Sequence, residues 1–257
     1  MGSSKWVATA RKGARNLGKW FWRVLKGKTP RHELEGRCLI AADEAEHLAR
    51  QRIAFLTPIQ EPLLLISQAP RSGGTFLSQL FDGHPQCHAH PGELDIGHPD
   101  KTTWPRLSVP GSAAEWWEIL FETDSLQFFL KGYKKSGLQG GEARLPFLLA
   151  PSLQRAIFEE QLRSRTVASP RDVLNCYWTS YFNAWLDNQN LLGFHKKWVT
   201  AFVPRLMLCE NSVAGFCSDY PDGFLASVIR DPRSWYASAR RWSPEEFGPL
   251  ESALEHW

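Results

Sequence analysis

The sequence lacks a run of about eighteen apolar residues, so it predicts no membrane-spanning helix. Internal repeats and low-complexity blocks are also absent. The five cysteines include no Cys-x-x-Cys pair, and such an odd, dispersed set favours reduced thiols in the cytoplasm over a disulfide framework. A chain of 257 residues, 43% of them hydrophobic, can bury one sizeable core, and we therefore expect a single α/β domain.

Acidic residues are missing from the start of the chain, where Glu33 is the first. Nine lysines and arginines precede it, and apolar residues recur among them at steps of three and four, which predicts a basic amphipathic helix. We treat residues 1–32 as an N-terminal arm and residues 33–257 as the domain. Three interpretations of the arm stay open: a membrane anchor that binds anionic lipid through residues 5–28, an organelle presequence, and a solvated arm. No nucleic-acid-binding motif accompanies the charge, so we expect no nucleic-acid partner.

The chain also lacks the Gly-x4-Gly-Lys-Ser/Thr signature of nucleotide-hydrolysing loops, although it has a loop of a related kind. The apolar residues 63–66 are followed by the turn Pro70-Arg71-Ser72-Gly73-Gly74-Thr75 and then by a helical pattern. This order predicts a strand, a tight loop and a helix start, which together bind phosphate through backbone N–H groups. Because the cation is Arg71, ahead of the glycines, the pattern indicates a phosphate donor bound without the usual Lys and Mg²⁺ pair.

A second candidate anion site lies far along the chain. Residues 223–230 are apolar and partly β-branched, which predicts a buried strand that ends in Arg230, and Asp231-Pro232 opens a helical pattern that contains Ser238. Ligands of open parallel sheets bind outside the carboxyl ends of the strands, so we expect both sites at one edge of one sheet. An arginine and a hydroxyl suit a phosphate monoester.

These two segments together resemble the sulfotransferase family. Residues 70–77 are similar to its 5′-phosphosulfate loop, and residues 230–238 are similar to its 3′-phosphate motif, an Arg followed eight positions later by a Ser. The resemblance covers roughly residues 62–241. It implies a P-loop-like α/β fold, a three-layer sandwich with a central parallel sheet flanked by helices. It also implies the donor 3′-phosphoadenylyl sulfate (PAPS) and transfer of a sulfuryl group to a hydroxyl or amine, without a metal.

The resemblance assigns residues to the donor. The 5′-phosphosulfate would contact Arg71, Ser72, Gly73, Gly74, Thr75 and Phe76, and the 3′-phosphate would contact Arg230 and Ser238. One departure stands out, since many relatives have two threonines after the first glycine and this chain has Gly74 and then Thr75. Gly74 keeps the backbone donor and removes one hydroxyl.

Candidates for the chemistry lie in a segment that we expect to be a loop, residues 84–95. It resembles the place where several sulfotransferases carry a catalytic Glu, so Glu93 is the first candidate base, with His90 and His88 as alternatives. Lys196 or Lys197, at the start of a predicted strand over residues 198–203, is a candidate for contacting the bridging oxygen. A metal site is also possible from six residues, but their spacing fits no standard zinc pattern: Cys87, His88, His90, Glu93, Asp95 and His98.

Other patterns complete the layout. Helices are predicted near residues 41–50, 115–121, 153–163 and 173–187, the last one aromatic, and a final helix from Ser243 is expected to run to Trp257. The family normally continues beyond this point, so we expect a truncated form. Two alternatives to a sulfotransferase therefore stay open: a non-catalytic nucleotide-binding or membrane-surface module, and a P-loop phosphotransferase, which would need the missing Lys.

Overall fold

The computed structural model describes residues 42–97, 103–132, 147–186, 188 and 195–255. The chain divides into compact units of residues 1–38 and 39–257, and every described residue belongs to the second unit. The predicted basic arm, residues 1–32, lies outside the described residues, as does His98. Within the described ranges, no helix is both long enough and apolar enough to cross a bilayer.

A parallel sheet forms the centre of the second unit. Its strands are β1 (Leu63–Ile66), β2 (Cys87–Glu93), β3 (Trp198–Phe202) and β4 (Phe224–Ala226), in the spatial order β2-β3-β1-β4. β1 and β3 occupy the middle and are almost wholly buried, which explains why their sequences are apolar apart from Thr200 and do not alternate. The predicted α/β class is confirmed, and the arrangement agrees with a three-layer sandwich.

Helices surround the sheet. They are α1 (Ala42–Ile53), α2 (Gly74–Gln79), α3 (Ala113–Leu120), α4 (Thr123–Lys131), α5 (Pro151–Arg163), α6 (Pro170–Ala184), α7 (Glu210–Asp219), α8 (Pro232–Trp242), α9 (Pro244–Phe247) and α10 (Leu250–Leu254), with a 3-10 turn at Leu206–Leu208. Local chemistry sets several starts, because Ser112 and Ser169 each form a capping box and proline opens α5, α6 and α8. The aromatic helix α6 is core, since Tyr177, Trp178 and Phe182 are at most 1% exposed.

Three expectations need correction. Residues 84–95 are not a loop, because β2 pairs with β3, and an irregularity between Ala89 and Glu93 lets an edge strand accommodate Pro91. β4 ends at Ala226, so Arg230 follows the strand by four residues. The final helix is two short helices separated by Gly248-Pro249, because proline lacks the N–H that would continue the first one.

The carboxyl edge of the sheet is one row of aligned residues. Ile66 of β1 is in register with Phe202 of β3 and with Ala226 of β4, and Glu93 of β2 is in register with the same Phe202. Since neighbouring strands lie about 4.8 Å apart, Glu93 and Ile66 are about 10 Å from each other across β3. This row is the base on which the candidate site is built.

Candidate functional site

The segment that leaves β1 is fixed to its neighbours by three hydrogen bonds. The Ser67 N–H donates to the Ala226 carbonyl over 2.9 Å, and the Met207 N–H donates to the Ser67 hydroxyl over 2.9 Å. The Arg205 N–H donates to the Gln68 carbonyl over 3.2 Å. The loop that follows therefore begins from a fixed position between the ends of β3 and β4.

Two residues of this loop have left-handed backbone conformations. Gly73, at φ 112°, precedes α2, and Arg71 is at φ 66°, where a non-glycine residue is strained by roughly 1 kcal/mol or more. Ser72 between them is 6% exposed. Arg71, Gly73, Thr75 and Phe76 are exposed and Gly74 is buried, so four of the six predicted 5′-phosphosulfate contacts lie on an open surface.

The second motif contacts this loop directly. The Arg230 guanidinium donates to the Arg71 carbonyl over 3.3 Å, and the buried indole N–H of Trp235 donates to the Pro70 carbonyl over 2.5 Å. The Arg71 guanidinium in turn lies 5.9 Å from the ring centre of Trp242, at the end of the same helix. The structure thus brings together both halves of the predicted donor site.

Serines on α8 continue the surface next to Arg230. The Nε of Arg230 donates to the Ser234 hydroxyl over 3.1 Å, and Ser238 lies one helical turn further along the same face. Asp231 caps the helix by accepting from the N–H groups of residues 233 and 234, and its hydrogen bond to the Arg233 side chain lowers the pKa of Asp231. Arg230, just before α8, and Ser234 and Ser238, on one face of α8, therefore present a cationic group and two hydroxyl groups along one line.

A buried side chain lies beneath the loop. Gln68 is 3% exposed, and its Oε1 has no hydrogen-bond partner among the described residues. A Cβ added to Gly74 would lie 1.9 Å from the Gln68 Nε2. A side chain at position 74, the departure noted in the sequence, would therefore need the Gln68 carboxamide to move.

Glu93, the predicted base, ends β2 at the same edge of the sheet and is half-buried. Hydrogen bonds hold the backbone on both sides of Glu93. The His90 Nδ1 lies 3.1 Å from the Gly92 carbonyl, and the Asp95 N–H donates to a Glu122 carboxylate oxygen over 3.2 Å. The segment that carries Glu93 is therefore fixed by Glu122 on one side and by His90 on the other.

His90 itself lies in a buried ion pair with Glu122. Its Nε2 is 3.1 Å from the Glu122 Oε2, and both side chains are 1% exposed. Burial alone would lower the pKa of His90, but the charge and hydrogen bond of Glu122 outweigh it, so the pKa is raised above the ordinary histidine value. The Tyr177 hydroxyl also donates to Glu122. This burial removes His90 from the open edge and leaves Glu93 as the accessible candidate base.

Lys197 does not fit its predicted role. It precedes β3 and donates its backbone N–H to the Gln86 carbonyl at the amino end of β2. The strands are parallel, so this end is opposite the phosphate loop, and the five positions to Phe202 place Lys197 about 16 Å from the carboxyl edge. Lys196 and the buried His88 lie at this far end too, where burial and the Lys196 charge lower the pKa of His88 to about 4.

Sequence reasoning missed several members of the site: Gln68, Glu122, Ser234 and Trp235. The serine pair at an i, i+4 spacing in the second motif was the one available signal, whereas the other three depend on contacts between distant segments. Within the described ranges, no three His, Cys, Asp or Glu side chains converge to hold a metal ion.

A separate cleft of about 370 Å³ lies between residues 103–108 and α7. Trp104, Ser212 and Asp219 contribute to its wall, and none of the predicted site residues does. The candidate site is therefore defined by its side chains and not by this cleft.

Comparisons with protein-family models, with curated proteins and with solved structures found no match to this chain.

Proposed function

We propose that this chain is a sulfotransferase that moves a sulfuryl group from PAPS to a hydroxyl or amine acceptor. The observation that carries the proposal is the hydrogen bond from the Arg230 guanidinium to the Arg71 carbonyl, which unites two motifs 159 positions apart. Each motif alone is a weak signal, since glycine-rich turns and arginines after strands are common. Their contact at the carboxyl edge of a parallel sheet supports a single site for a ligand with two phosphate-like ends.

Donor binding follows from the exposed groups of the loop and of α8. The 5′-phosphosulfate takes the Arg71 guanidinium, the Thr75 hydroxyl and the backbone N–H groups of residues 73–76, since the Ser72 N–H donates to the Ala69 carbonyl over 3.3 Å. The 3′-phosphate takes the Arg230 guanidinium and the Ser238 hydroxyl. Guanidinium groups suit both ends, because their planar N–H groups match phosphate oxygens and they stay charged at any physiological pH.

Transfer requires an in-line attack on sulfur. The acceptor oxygen or nitrogen forms a bond to sulfur while the bond from sulfur to the phosphate oxygen breaks, and adenosine 3′,5′-bisphosphate leaves with that electron pair. Glu93 accepts the acceptor's proton, and Arg71 stabilises the charge that develops on the leaving oxygen. The separation of about 10 Å between the ends of β1 and β2 leaves room for the sulfuryl group and an acceptor between donor and base.

A transfer assay tests the proposal. The chain is incubated with PAPS carrying labelled sulfate and a panel of phenols, sugars, peptides and lipids, and transferred label is counted. We expect transfer to at least one acceptor class, loss of transfer in Glu93→Gln with unchanged binding of adenosine 3′,5′-bisphosphate, and no effect of Glu46→Gln, an exposed carboxylate on α1. Full transfer by Glu93→Gln would assign the base elsewhere, and no binding of the bisphosphate would contradict the proposal.

We also propose a location for the protein. It acts in the cytoplasm and contacts a membrane surface through residues 5–28. Eight lysines and arginines lie within this segment and support binding to a membrane surface, because anionic lipid attracts such segments by about 1 kcal/mol per charge. Sedimentation with phosphatidylserine vesicles should pellet the full chain and leave a form without residues 1–28 in solution. Equal pelleting of both forms, or pelleting with neutral vesicles, would contradict it.

A further inference from the structure

Arg205 follows β3 at the carboxyl edge of the sheet, three residues beyond Phe202. β3 lies between β2, which ends in Glu93, and β1, which leads into the phosphate loop. Arg205 therefore leaves the sheet between the candidate base and the loop that would bind the phosphosulfate. Lys197, the cation that the sequence favours for the transferred group, lies at the opposite end of the same strand.

The backbone at Arg205 is left-handed, with φ 70°, as it is at Arg71, with φ 66°. Among the described residues, these two arginines are the only non-glycine residues with a positive φ. The Arg205 N–H donates to the Gln68 carbonyl just ahead of the phosphate loop, and the Leu208 N–H donates to the Arg205 carbonyl over 2.9 Å. Backbone strain persists where the surrounding structure fixes it, and it concentrates at ligand sites.

The side chains of both arginines reach one short segment, from the end of α8 into α9. The Arg205 Nη2 lies 3.2 Å from the Glu246 Oε1, in an ion pair whose two side chains are half-buried. The Arg71 Cζ lies 5.9 Å from the ring centre of Trp242, four positions before Glu246. Two guanidinium groups from separate loops therefore approach the same segment, and together they suit an anion with several oxygens, such as a phosphosulfate.

We propose that Arg205 binds the sulfuryl oxygens of PAPS, next to Arg71, and holds the sulfuryl group between the donor phosphate and the acceptor. The inference rests on the proposed function and adds to it a contact that neither sequence motif contains. A guanidinium has five N–H donors, so pairing with one carboxylate oxygen leaves donors for a second anion. Glu246 is the counter-ion of Arg205 in the donor-free chain, and its carboxylate competes with the sulfuryl group for this guanidinium.

Two ligands isolate this contact in calorimetric titrations without acceptor, because PAPS carries the sulfuryl group and adenosine 3′,5′-bisphosphate lacks it. In Arg205→Gln we expect PAPS to bind about tenfold more weakly and the bisphosphate to bind within about twofold of the unchanged chain. Arg205→Lys restores the charge without the planar fork and should bind PAPS about threefold more weakly than the unchanged chain. Glu246→Gln is the matched control. It breaks the same ion pair and leaves the guanidinium, so it should bind PAPS at least as tightly as the unchanged chain.

The outcomes separate this inference from the function on which it rests. Equal loss of both ligands in Arg205→Gln, or full PAPS binding by that variant, would overturn the inference. A loss of PAPS binding in Glu246→Gln as large as in Arg205→Gln would show that Arg205 serves only to hold α9, and would overturn it too. If the unchanged chain binds neither ligand, the proposed function itself is contradicted.

Bisphosphate binding also shows that a variant is folded. Should Arg205→Gln not fold, Arg205→Lys takes its place in the comparison with Glu246→Gln. Weaker binding of PAPS alone by Arg205→Lys would then support the inference, and full PAPS binding by it would overturn the inference.

Discussion

The Arg230 guanidinium donates a hydrogen bond to the carbonyl oxygen of Arg71 over 3.3 Å, across 159 positions of sequence. The carbonyl is presented to Arg230 by a residue whose φ is 66°, so the strained backbone of the loop and the contact between the motifs occur at one position. Backbone strain of this kind concentrates at functional sites, where the surrounding structure maintains it. The relationship leads to separate predictions for stability and for ligand binding.

Two substitutions of Arg71 should separate strain from charge. Arg71→Gly relieves the left-handed conformation, whereas Arg71→Ala retains it, and we expect the glycine variant to be more stable by at least about 0.5 kcal/mol. Both remove the guanidinium and should bind adenosine 3′,5′-bisphosphate at least about tenfold more weakly, or by about 1.4 kcal/mol. Urea unfolding and calorimetry measure the two effects. An alanine variant as stable as the glycine variant would contradict the strained loop.

The indole of Trp235 should position the loop. Trp235→Phe retains an aromatic ring in the core and removes the hydrogen bond to the Pro70 carbonyl, which should cost about 1 kcal/mol of unfolding free energy and weaken bisphosphate binding severalfold. Tyr236→Phe is the matched control, because it removes a 2.7 Å hydrogen bond from the same helix to the Gly248 carbonyl, which does not belong to the loop. Equal binding by both variants would show that Trp235 does not act on the loop.

The two buried histidines of β2 should change the stability of the protein with pH in opposite directions. The pKa of His88 is lowered to about 4, so its contribution is present above pH 6.5 and is lost as the pH falls towards 4, to a total of about 3 kcal/mol. The pKa of His90 is raised, chiefly by Glu122 against the effect of burial, so its contribution is present below pH 6.5 and is lost as the pH rises through that raised value.

Unfolding free energies measured between pH 4 and 9 check both effects. We expect the unchanged chain to be most stable between the two titrations. Glu122→Gln should flatten the decline on the alkaline side, since the pKa of His90 then loses its main upward influence, and His88→Phe should flatten the rise on the acid side. Exposed His47, on α1, serves as the control through His47→Ala. A Glu122→Gln profile parallel to that of the unchanged chain would refute the buried ion pair.

The parts of the site that follow an apolar run were predictable from sequence. Residues 63–66 and the turn after them define β1, the loop and α2, and the shared edge follows from the rule for parallel sheets. The same rule would have excluded Lys197, because a residue that precedes a parallel strand lies at the opposite edge. β2 was missed because its alternation of apolar and polar residues covers only residues 87–90 and is followed by Pro91-Gly92, which signals a turn. Pairing with β3 overrides this weak local preference.

Contacts between side chains account for the rest. No sequence pattern indicates that Gln68 fills the space beside Gly74 or that Trp235 reaches Pro70, since both depend on the packing of segments that meet only in the folded chain. The same holds for Glu122, whose position between His90 and Asp95 makes it a support for the candidate base. The sequence therefore predicted two segments that meet in the structure, and the structure supplies the side chains that hold the candidate site in shape.

The central claim is that one site binds both the 5′-phosphosulfate and the 3′-phosphate of PAPS. Calorimetric titrations that compare adenosine 3′,5′-bisphosphate with adenosine 5′-monophosphate test it most directly. The unchanged chain and Arg233→Ala, whose side chain is 90% exposed and paired with Asp231, should both prefer the bisphosphate by at least about tenfold. Arg230→Ala should lose this preference and still bind the monophosphate. A preference that persists undiminished in Arg230→Ala would contradict the account.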